Sequence, residues 1–439
     1  MRPIHAVVLV AGVMLAPVWA RAQAPAGLYT DEFNGFSLQP PAGVERLRET
    51  SPRRLVCWAR RDPKTRAIRW SLEVLRTRHE PSKLPPKEYA DAIARQLASV
   101  SRFHVESTEL GKVAGKPAMH FRGIWKGALE LWRRQTWVQI NPDEYLVLNI
   151  AGPIADKAEM DKALTRVAGS LKLFDPSAVL KERAENLARG SALLAGLDEA
   201  KLRAVLAEEP SYYLVQLKGK PIGFVKITET VGNLGPDRGL RVIRAGALKL
   251  PGEPRRLTRE ELFATADRKV ERWRRIVIDG EGTAAVKSVS EAIKQQDVLL
   301  MQTKRSDRPL PSRQRKVPAA IRPAYLPVAF DGLVPRLMDR TRKATYGFAV
   351  YNAAANDFDL RLVRVIGPEK ITFAGRRVDT VRLGDRMAQD APWAELWVDE
   401  KGLLLRMATP DGPTMYRAGR KAVAATFGAE LGELEKMGS

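Results

Sequence analysis

The second half of the chain consists of short apolar runs separated by turn sequences. Turns are indicated at Lys218–Pro221, Asp399–Gly402 and Pro410–Pro413, where Gly, Pro and Asp favour tight reversals of the backbone. Strands joined by tight turns pair with their neighbours, so the pattern predicts an antiparallel sheet. The predicted strands are Tyr212–Leu217, Ile222–Val231, Leu240–Leu250, Lys269–Ile278, Val298–Thr303, Tyr346–Tyr351, Phe358–Ile366, Arg377–Leu383, Trp393–Val398, Leu403–Ala408 and Thr414–Arg417.

One helix is predicted to interrupt these strands, around Tyr325–Met338. It follows a loop rich in proline and arginine at residues 308–323, which we expect to connect the two halves of the sheet. The β-rich domain is therefore predicted over residues 210–419, with a C-terminal helix or tail at 420–439.

The first half of the chain mixes strands with two amphipathic helices. Apolar residues recur at helical spacing over Lys87–Ser99 and over Asp156–Gly169. Strands before, between and after them predict an antiparallel sheet with covering helices, an α+β domain over residues 25–175. The predicted strands are Gly35–Gln39, Leu55–Arg60, Ala67–Leu75, Phe103–Leu110, Ala118–Gly123, Leu131–Ile140, Tyr145–Ile150 and Leu171–Phe174.

Residues 176–209 lack a strand pattern and are rich in Ala, Leu, Glu, Lys and Arg. This composition predicts a helical linker, with possible breaks at Gly190 and Gly196. Two domains joined by a linker suit a chain of 439 residues, which is too long for one ordinary core.

The N-terminus has the pattern of a secretory signal peptide. Arg2 precedes an uncharged apolar run over Ala6–Leu15, and small residues surround Ala24 at a predicted cleavage site. The run is shorter than the roughly 20 residues that a membrane span needs. The residue directly after the predicted cleavage site is Pro25 and not a cysteine, so lipid attachment there is excluded. We expect residues 1–24 to be removed and the chain to be exported to the periplasm or secreted, and not to be a lipoprotein.

Cysteine and histidine usage limits the chemistry. Cys57 is the only cysteine, which excludes an intrachain disulfide, and we expect it to be buried. No Cys or His follows His120, so the β-rich domain alone holds neither a Ser–His–Asp nor a Cys–His nucleophile. The three remaining histidines outside the signal peptide lack metal-ligand spacing. We expect no metal, no cofactor and no enzymatic activity.

The net charge of +22 predicts attraction to anions. For an exported chain, these anions are a membrane surface or an envelope glycan; no nucleic-acid-binding module is visible, so nucleic acid is not expected. The alternative is a solvated Arg-rich surface without a specific role. The candidate anion-attracting residues form two groups: Arg272, Arg274 and Arg275, and then Lys304, Arg305, Arg313, Arg315 and Lys316.

Two segments resemble known families. The opening Gly35-Phe36-Ser37-Leu38-Gln39-Pro40-Pro41, the turn Val113–Ala118 and the closing Ser170-Leu171-Lys172 resemble the PsbP-like superfamily over residues 33–175. That resemblance implies a binding or assembly module without catalytic residues.

The β-rich domain resembles the curved half-barrel sheets of LolA-like lipoprotein carriers and related envelope proteins. Tyr213–Val215, Gly219–Gly223 and Trp397–Met407 carry this second resemblance, over residues 211–418. It implies a half-barrel sheet with an inserted helix. Some related exported proteins carry a transglutaminase-type hydrolase, whose Cys-His-Asp set has no match here.

Several strands of the β-rich domain are apolar on both faces, so both faces are expected to be covered. A concave apolar face could hold a lipid-like acyl ligand or a protein partner, or could be plain core filled by helices. The candidate contact residues are Phe224, Phe358, Leu360, Leu362, Trp393 and Trp397.

The leading interpretation is an exported, non-enzymatic envelope protein that binds an apolar ligand or an envelope partner. Glu395 and Asp399 beside Trp393 and Trp397 suggest a first alternative, a carboxylate-based hydrolase of envelope glycans. A purely structural assembly module is the second alternative.

Overall fold

A computed structural model describes residues 27–47, 54–79, 84–127, 129–250, 252–282, 285–306, 312–353, 356–388, 391–410 and 412–437. The predicted signal peptide, residues 1–24, lies outside them. The described residues divide into two compact units, the first ending at Lys181 and the second beginning at Glu182. Within the described ranges, no helix is both long enough and apolar enough to cross a membrane.

The first unit is an antiparallel α+β layer structure. Its seven-stranded sheet has the order β3-β4-β5-β9-β8-β7-β6, and β1, β2 and β10 form a small second sheet in the order β1-β2-β10. The strands are β1 Tyr29–Asp31, β2 Phe36–Leu38, β3 Glu45–Leu47, β4 Arg54–Arg61, β5 Ile68–Arg78, β6 Phe103–Val113, β7 Lys116–Lys126, β8 Glu130–Asn141, β9 Glu144–Pro153 and β10 Lys172–Leu173.

Two helices cover opposite faces of the seven-stranded sheet. Helix α1 (Pro86–Ser101) packs Ala90 and Ile93 into one apolar cluster, which includes Trp137. Helix α2 (Lys157–Ser170) packs Leu164 and other apolar residues into a separate cluster around Trp132. Trp132 and Trp137 lie five residues apart on β8, so their side chains point to opposite faces of the sheet, and each packs in one of the two clusters. The predicted antiparallel sheet with covering helices is thus present.

The second unit contains a fourteen-stranded antiparallel sheet in the order β18-β17-β16-β15-β14-β13-β12-β11-β24-β23-β22-β21-β20-β19. The strands are β11 Ser211–Leu217, β12 Lys220–Leu234, β13 Asp237–Leu248, β14 Arg256–Thr265, β15 Val270–Asp279, β16 Val286–Gln295, β17 Val298–Arg305, β18 Arg313–Lys316, β19 Thr345–Asn352, β20 Asp357–Phe373, β21 Arg376–Arg386, β22 Ala394–Val398, β23 Leu404–Ala408 and β24 Thr414–Ala418. No ladder joins edge strands β18 and β19 within the described residues, so the sheet is open.

A connecting segment, Val317–Met338, joins the two edge strands and packs on one face of this sheet, here called the inner face. Its residues Leu326, Phe330 and Leu333 are almost fully buried in the largest apolar cluster of the chain. Residues 317–323 of the predicted connecting loop belong to this segment. The inner face is filled by this segment.

The prediction of one continuous helix over Tyr325–Met338 is wrong. The segment contains 3₁₀ turns at Arg322–Ala324 and Val328–Leu333, followed by a single α-helical turn, α5 (Val334–Leu337). Prolines at 323, 327 and 335 lack the amide hydrogen that a continuous helix needs, and they favour helix starts over helix interiors.

Helix α6 (Arg420–Lys436) covers part of the opposite, outer face. Its Val423, Leu431 and Leu434 form an apolar cluster with residues of β11 to β14. Helix α6 is kinked at Phe427, whose backbone is non-helical. The helix predicted after residue 419 is therefore present.

The helical linker is two helices, α3 (Ser177–Ala195) and α4 (Glu199–Val205). The chain leaves helical geometry near Gly196 as predicted, but α3 continues through Gly190. A side chain at Gly190 would collide with the carbonyl oxygen of Gly347, so this glycine permits close contact between α3 and β19. The predicted break at Gly190 is wrong for that reason.

Strands β1, β3, β14, β16 and β18 were not predicted. The Thr258–Leu262 sequence of β14, Thr-Arg-Glu-Glu-Leu, has a helix-like composition, but pairing with β13 and β15 overrides this preference. β18 lies within the predicted loop 308–323, of which residues 308–311 are outside the described part.

Candidate functional site

The six apolar candidates do not share one face. Phe358 lies on the inner face, where its ring packs edge-on against Tyr325 at 6.0 Å. Phe224 instead lies under α6, with its ring 5.7 Å from that of Phe427. The placement of Phe224 on a concave ligand-binding face is therefore wrong.

Leu360 and Leu362 are also on the outer side of the sheet. They alternate with Arg361 and Val363, and Val363 belongs to the inner cluster. Both leucines are buried, but neither belongs to the inner-face apolar cluster, which Phe358 joins at the start of β20 through Tyr325 and Tyr351. Alternation along a strand separates its two faces but does not show which of them becomes the inner face of the sheet.

The inner face carries buried charges among its apolar side chains. The Tyr325 hydroxyl donates to Glu271 at 2.5 Å, and the Val328 amide donates to the same carboxylate at 2.8 Å. Burial raises the pKa of Glu271 to about 7, although both donors oppose this rise. The side chain of Glu271 thus fixes the connecting segment to β15.

A second buried group fixes the connecting segment to β20 and β21. Arg361 donates to Asp331 at 3.2 Å and to Asp385 at 2.7 Å. Burial raises the pKa of Asp331 to about 6, and the charge of Arg361 opposes this rise. The inner face therefore combines dense packing with buried ion pairs, which favours the alternative of a filled core over an open apolar concavity.

Two cavities in the described part of the second unit are small. One of about 10 Å³ lies on the inner face beside Glu260 and Trp273, about the space of one water molecule. Another of about 120 Å³ lies between α6 and the outer face, lined by Ile243, Leu431 and Lys226 among others. Ligand pockets usually enclose about 300–1,000 Å³, so neither cavity accommodates a long acyl chain.

Most of the predicted anion-attracting cations have protein partners. Arg272 pairs with Asp237 at 3.3 Å, Arg274 with Glu291 at 3.2 Å, Arg275 with Glu260, and Arg315 with Asp357 at 2.6 Å.

The other basic candidates lie near the β18 edge. Arg313 donates to the Ala353 carbonyl at 3.1 Å, and Arg305 is half-buried. Lys304 and Lys316 are exposed, and no described carboxylate lies within ion-pair distance of either. The second basic group is therefore spread over β17 and β18.

A different group of basic residues lies around the two candidate tryptophans. Leu396 and Val398 are on the inner face, so Trp393 and Trp397 are on the outer face. We call their surroundings on β20 to β23 the Trp–Arg face, comprising Arg364, Arg382, Gly384, Arg386, Trp393, Glu395, Trp397 and Arg406.

Trp393 is half-buried and contacts two guanidinium groups. The guanidinium carbon of Arg364 is 4.1 Å from the centre of the indole ring, and that of Arg386 is 4.9 Å from it. Gly384 makes room for this stack, because a Cβ atom there would lie 2.8 Å from Nε of Arg364 and 3.1 Å from the indole. Such cation–π contacts orient the arginine side chain.

Trp397 is buried by two further arginines. Arg406 lies 4.8 Å and Arg382 5.9 Å from the ring centre. Arg382 is also bonded to Glu395 and lies 3.3 Å from Glu369. Its donors are therefore occupied by carboxylates of the same face.

Arg364 and Arg406 differ from Arg382 in this respect. Both are exposed, and neither has a carboxylate of the described residues within ion-pair distance. A guanidinium that stacks through its flat face keeps its N–H donors in the plane of the group. These two side chains are thus held in place with donors available for an anion.

The carboxylates of the hydrolase alternative have structural partners. Glu395 is ion-paired with Arg382. Asp399 accepts hydrogen bonds from the amides of Lys401 and Leu403, both at 2.9 Å, and so stabilises the turn before β23. These contacts give both side chains a role in holding the sheet.

Cys57, His79, His104 and His120 lie in the first unit. Cys57 is buried on β4, as predicted. Burial lowers the pKa of His79 and of His120. Among the described residues, no group of three or more His, Cys, Asp or Glu side chains is arranged to hold a metal ion.

The prediction that Trp393 and Trp397 line a concave apolar face is wrong, because both lie on the outer face. The arginines and Gly384 around them were not predicted as site residues. A signal was present, because Arg382, Gly384 and Arg386 alternate with Leu383 and Asp385, as expected for one face of a strand. Arg364 and Arg406 come close to the tryptophans only through strand pairing, which single-sequence patterns do not specify.

Comparisons with known proteins identify only distant similarities. The sequence matches no family model and no curated protein. Among solved structures, the chain is similar to cyanobacterial PsbP (CyanoP) from Synechocystis sp. PCC 6803, at 14% identity and a TM-score of 0.28, covering 35% of this chain and 96% of that one.

Two other solved structures are similar at the same level. LpqN of Mycobacterium tuberculosis, involved in cell envelope biogenesis, has 11% identity and a TM-score of 0.26, covering 35% of this chain and 88% of LpqN. A beta-barrel-like protein of DUF1849 from Brucella abortus has 13% identity and a TM-score of 0.31, covering 47% and 93% of the two chains. Similarities this distant assign neither family nor function.

Proposed function

We propose that this chain is an exported, non-enzymatic envelope protein that binds an envelope partner through the Trp–Arg face of its second unit. The observation that carries the proposal is the stack of Arg364 on Trp393. It presents an exposed guanidinium, oriented by an indole and a glycine, whose donors no described carboxylate occupies.

Binding of a partner is favoured over carriage of an acyl chain. The connecting segment fills the inner face, and Glu271 and Asp331 place buried carboxyl groups there. The groove beneath α6, at about 120 Å³, is below the usual size of a ligand pocket. A lipid would therefore have to displace packed side chains.

Export and the absence of catalysis are supported by the sequence. The charged start, the apolar run and the small residues up to Ala24 fit a cleaved signal peptide. The lack of Cys and His after His120 leaves the second unit without the usual nucleophile–base pairs. The basic composition favours anionic partners, which are abundant in an envelope.

The proposal is tested by co-sedimentation of the purified chain with washed cell-envelope fractions. We expect the double variant Arg364→Gln/Trp393→Ala to reduce the bound fraction at least 5-fold at physiological salt. Arg274→Gln is the matched control, because Arg274 is equally exposed to solvent on a strand of the same unit but is paired with Glu291.

The control should change the bound fraction less than 2-fold. Circular dichroism and thermal unfolding of each variant establish that it is folded. If the folded double variant sediments like the unaltered chain, the Trp–Arg face is not the binding site and the proposal is wrong.

A further inference from the structure

We propose that the partner of the Trp–Arg face is an acidic polysaccharide. In this arrangement, a carboxylate of the polymer binds the guanidinium of Arg364, an adjacent sugar ring packs on Trp393, and a second acidic group reaches Arg406. The inference rests on the proposed function and specifies the chemistry of its partner.

The geometry at Arg364 fits a planar two-oxygen anion. A guanidinium offers parallel N–H donors that match a carboxylate, and the bond is strongest when the side chain is already oriented. Stacking on Trp393 at 4.1 Å and the absence of a side chain at Gly384 provide that orientation. Trp393 is half-buried, and the part of its indole that Arg364 and Arg386 leave uncovered offers an apolar surface for the C–H groups of an adjacent sugar.

The distance between the two available arginines favours a polymer over a small anion. Arg364 is on β20 and Arg406 on β23, three strands apart in the sheet. Strands are spaced about 4.8 Å apart, so the two backbones are separated by roughly 15 Å. Each guanidinium is also held at its own indole, Arg364 at Trp393 and Arg406 at Trp397, four residues further along the chain. A chain of several acidic sugars therefore fits the pair better than one small carboxylate.

Charge within the face supports an anionic partner. Arg364, Arg382, Arg386 and Arg406 outnumber the acidic Glu369 and Glu395, and the whole chain carries a net charge of +22. Both carboxylates are ion-paired with Arg382. The surroundings of Arg364 and Arg406 therefore remain positively charged. A polyanion therefore meets complementary charge at both ends of the face.

A lipid surface fits this face less well. Membrane-binding surfaces present protruding apolar anchors beside their cations. Here Trp393 is half-buried between arginines and Trp397 is buried. The exposed Ile293 and Leu300 are paired across β16 and β17, on other strands of the sheet.

Affinity for immobilised polygalacturonate tests the inference, with neutral dextran and vesicles of phosphatidylglycerol and phosphatidylcholine as comparisons. The purified chain should bind polygalacturonate and not dextran at physiological salt. Arg364→Gln should weaken binding at least 5-fold, and Arg364→Lys should restore little, because an ammonium lacks the planar fork.

Gly384→Ala tests the orientation of the Arg364 side chain separately from the charge of the face. The added methyl group displaces Arg364 from Trp393 without changing the net charge, so affinity should fall at least 3-fold. Gly232→Ala is its control, because Gly232 lies on β12 and a methyl group added there would have no atom within 4 Å. Arg274→Gln controls for the loss of one surface charge.

Three outcomes would overturn the inference. The first is failure of the unaltered chain to bind polygalacturonate, and the second is an equal loss of affinity in Arg364→Gln and Arg274→Gln, which indicates attraction by net charge alone. The third is stronger binding to the vesicles than to polygalacturonate. If envelope fractions still bind through Arg364 and Trp393 in any of these cases, the proposed function stands and only the acidic polysaccharide is rejected.

Discussion

At the scale of single residues, the buried carboxyl of Glu271 connects the stability of the second unit to pH. Its pKa is raised from the usual 4.5 to about 7, chiefly by burial. A carboxyl group with a raised pKa holds its proton more tightly in the folded chain than in the unfolded chain. Its contribution to stability is therefore present below about pH 4.5 and is lost as the pH rises through 7.

Tyr325→Phe should destabilise the chain more at pH 8 than at pH 5. The tyrosine hydroxyl donates to the ionised carboxylate, so its removal makes ionisation in the buried site more costly. Hydrogen bonds to charged groups contribute about 1.5–3 kcal/mol, which sets the expected loss at pH 8. Urea unfolding at the two pH values measures it.

Tyr416→Phe is the matched control. It removes a hydroxyl that accepts a hydrogen bond from Gln216 at 2.9 Å and has no carboxylate in that bond. Its effect should be the same at both pH values. An equal loss for Tyr325→Phe at pH 5 and pH 8 would show that Glu271 does not control this pH dependence.

The residue scale also shows what sequence patterns can and cannot specify. Alternation correctly placed Trp393 and Trp397 on one side of β22, since Leu396 and Val398 lie on the other. Alternation does not predict that Phe224 faces α6, because both faces of its strand are apolar and both are covered. Only the tertiary packing of α6 decides which face is which.

At the scale of elements, the strands with strong alternation and clear turns were predicted. Their predicted ends usually lie within three residues of the observed ends. Strand β14 was missed because Thr258–Leu262 has helical preferences that neighbouring strands override. The connecting segment was predicted as a helix because its apolar content resembles one, while its prolines restrict it to short turns.

Gly190→Ala should destabilise the second unit despite the higher helix preference of alanine. The methyl group collides with the Gly347 carbonyl, so α3 must move away from β19. Overpacking of this kind costs about 1–3 kcal/mol. Thermal or urea unfolding of the full chain measures the change.

Gly432→Ala in α6 is the control for this change. Its methyl group meets no atom within 4 Å, so it should be neutral or stabilise the chain by up to about 1 kcal/mol. If Gly190→Ala were as stable as Gly432→Ala, then α3 would not be held against β19 at this position.

At the scale of the whole molecule, the division into two units has a testable consequence for its fragments. The predicted β-rich domain over 210–419 omits α3 and α4, but Leu194 and Leu202 of these helices are buried in the inner-face cluster. Without these helices, the apolar surface that each leucine covers is exposed, and loss of each buried leucine costs about 1.5–3 kcal/mol. Fragment 176–439 should therefore fold cooperatively and be several kcal/mol more stable than fragment 210–439.

Urea unfolding of the two fragments, followed by circular dichroism, measures this difference. Fragment 27–181 should fold separately, because it has its own sheet and its own apolar clusters. Equal midpoints for fragments 176–439 and 210–439 would show that the two helices contribute nothing to the second unit.

The central claim is that an envelope partner covers the Trp–Arg face, and hydroxyl-radical footprinting with mass spectrometry tests it most directly. The oxidation rate of Trp393 is measured with and without envelope fractions, and Trp125, half-buried in the first unit, serves as the internal reference. We predict that the envelope fractions lower the rate at Trp393 at least 3-fold and leave Trp125 unchanged. An unchanged rate at Trp393 under conditions where the chain is bound would contradict the claim.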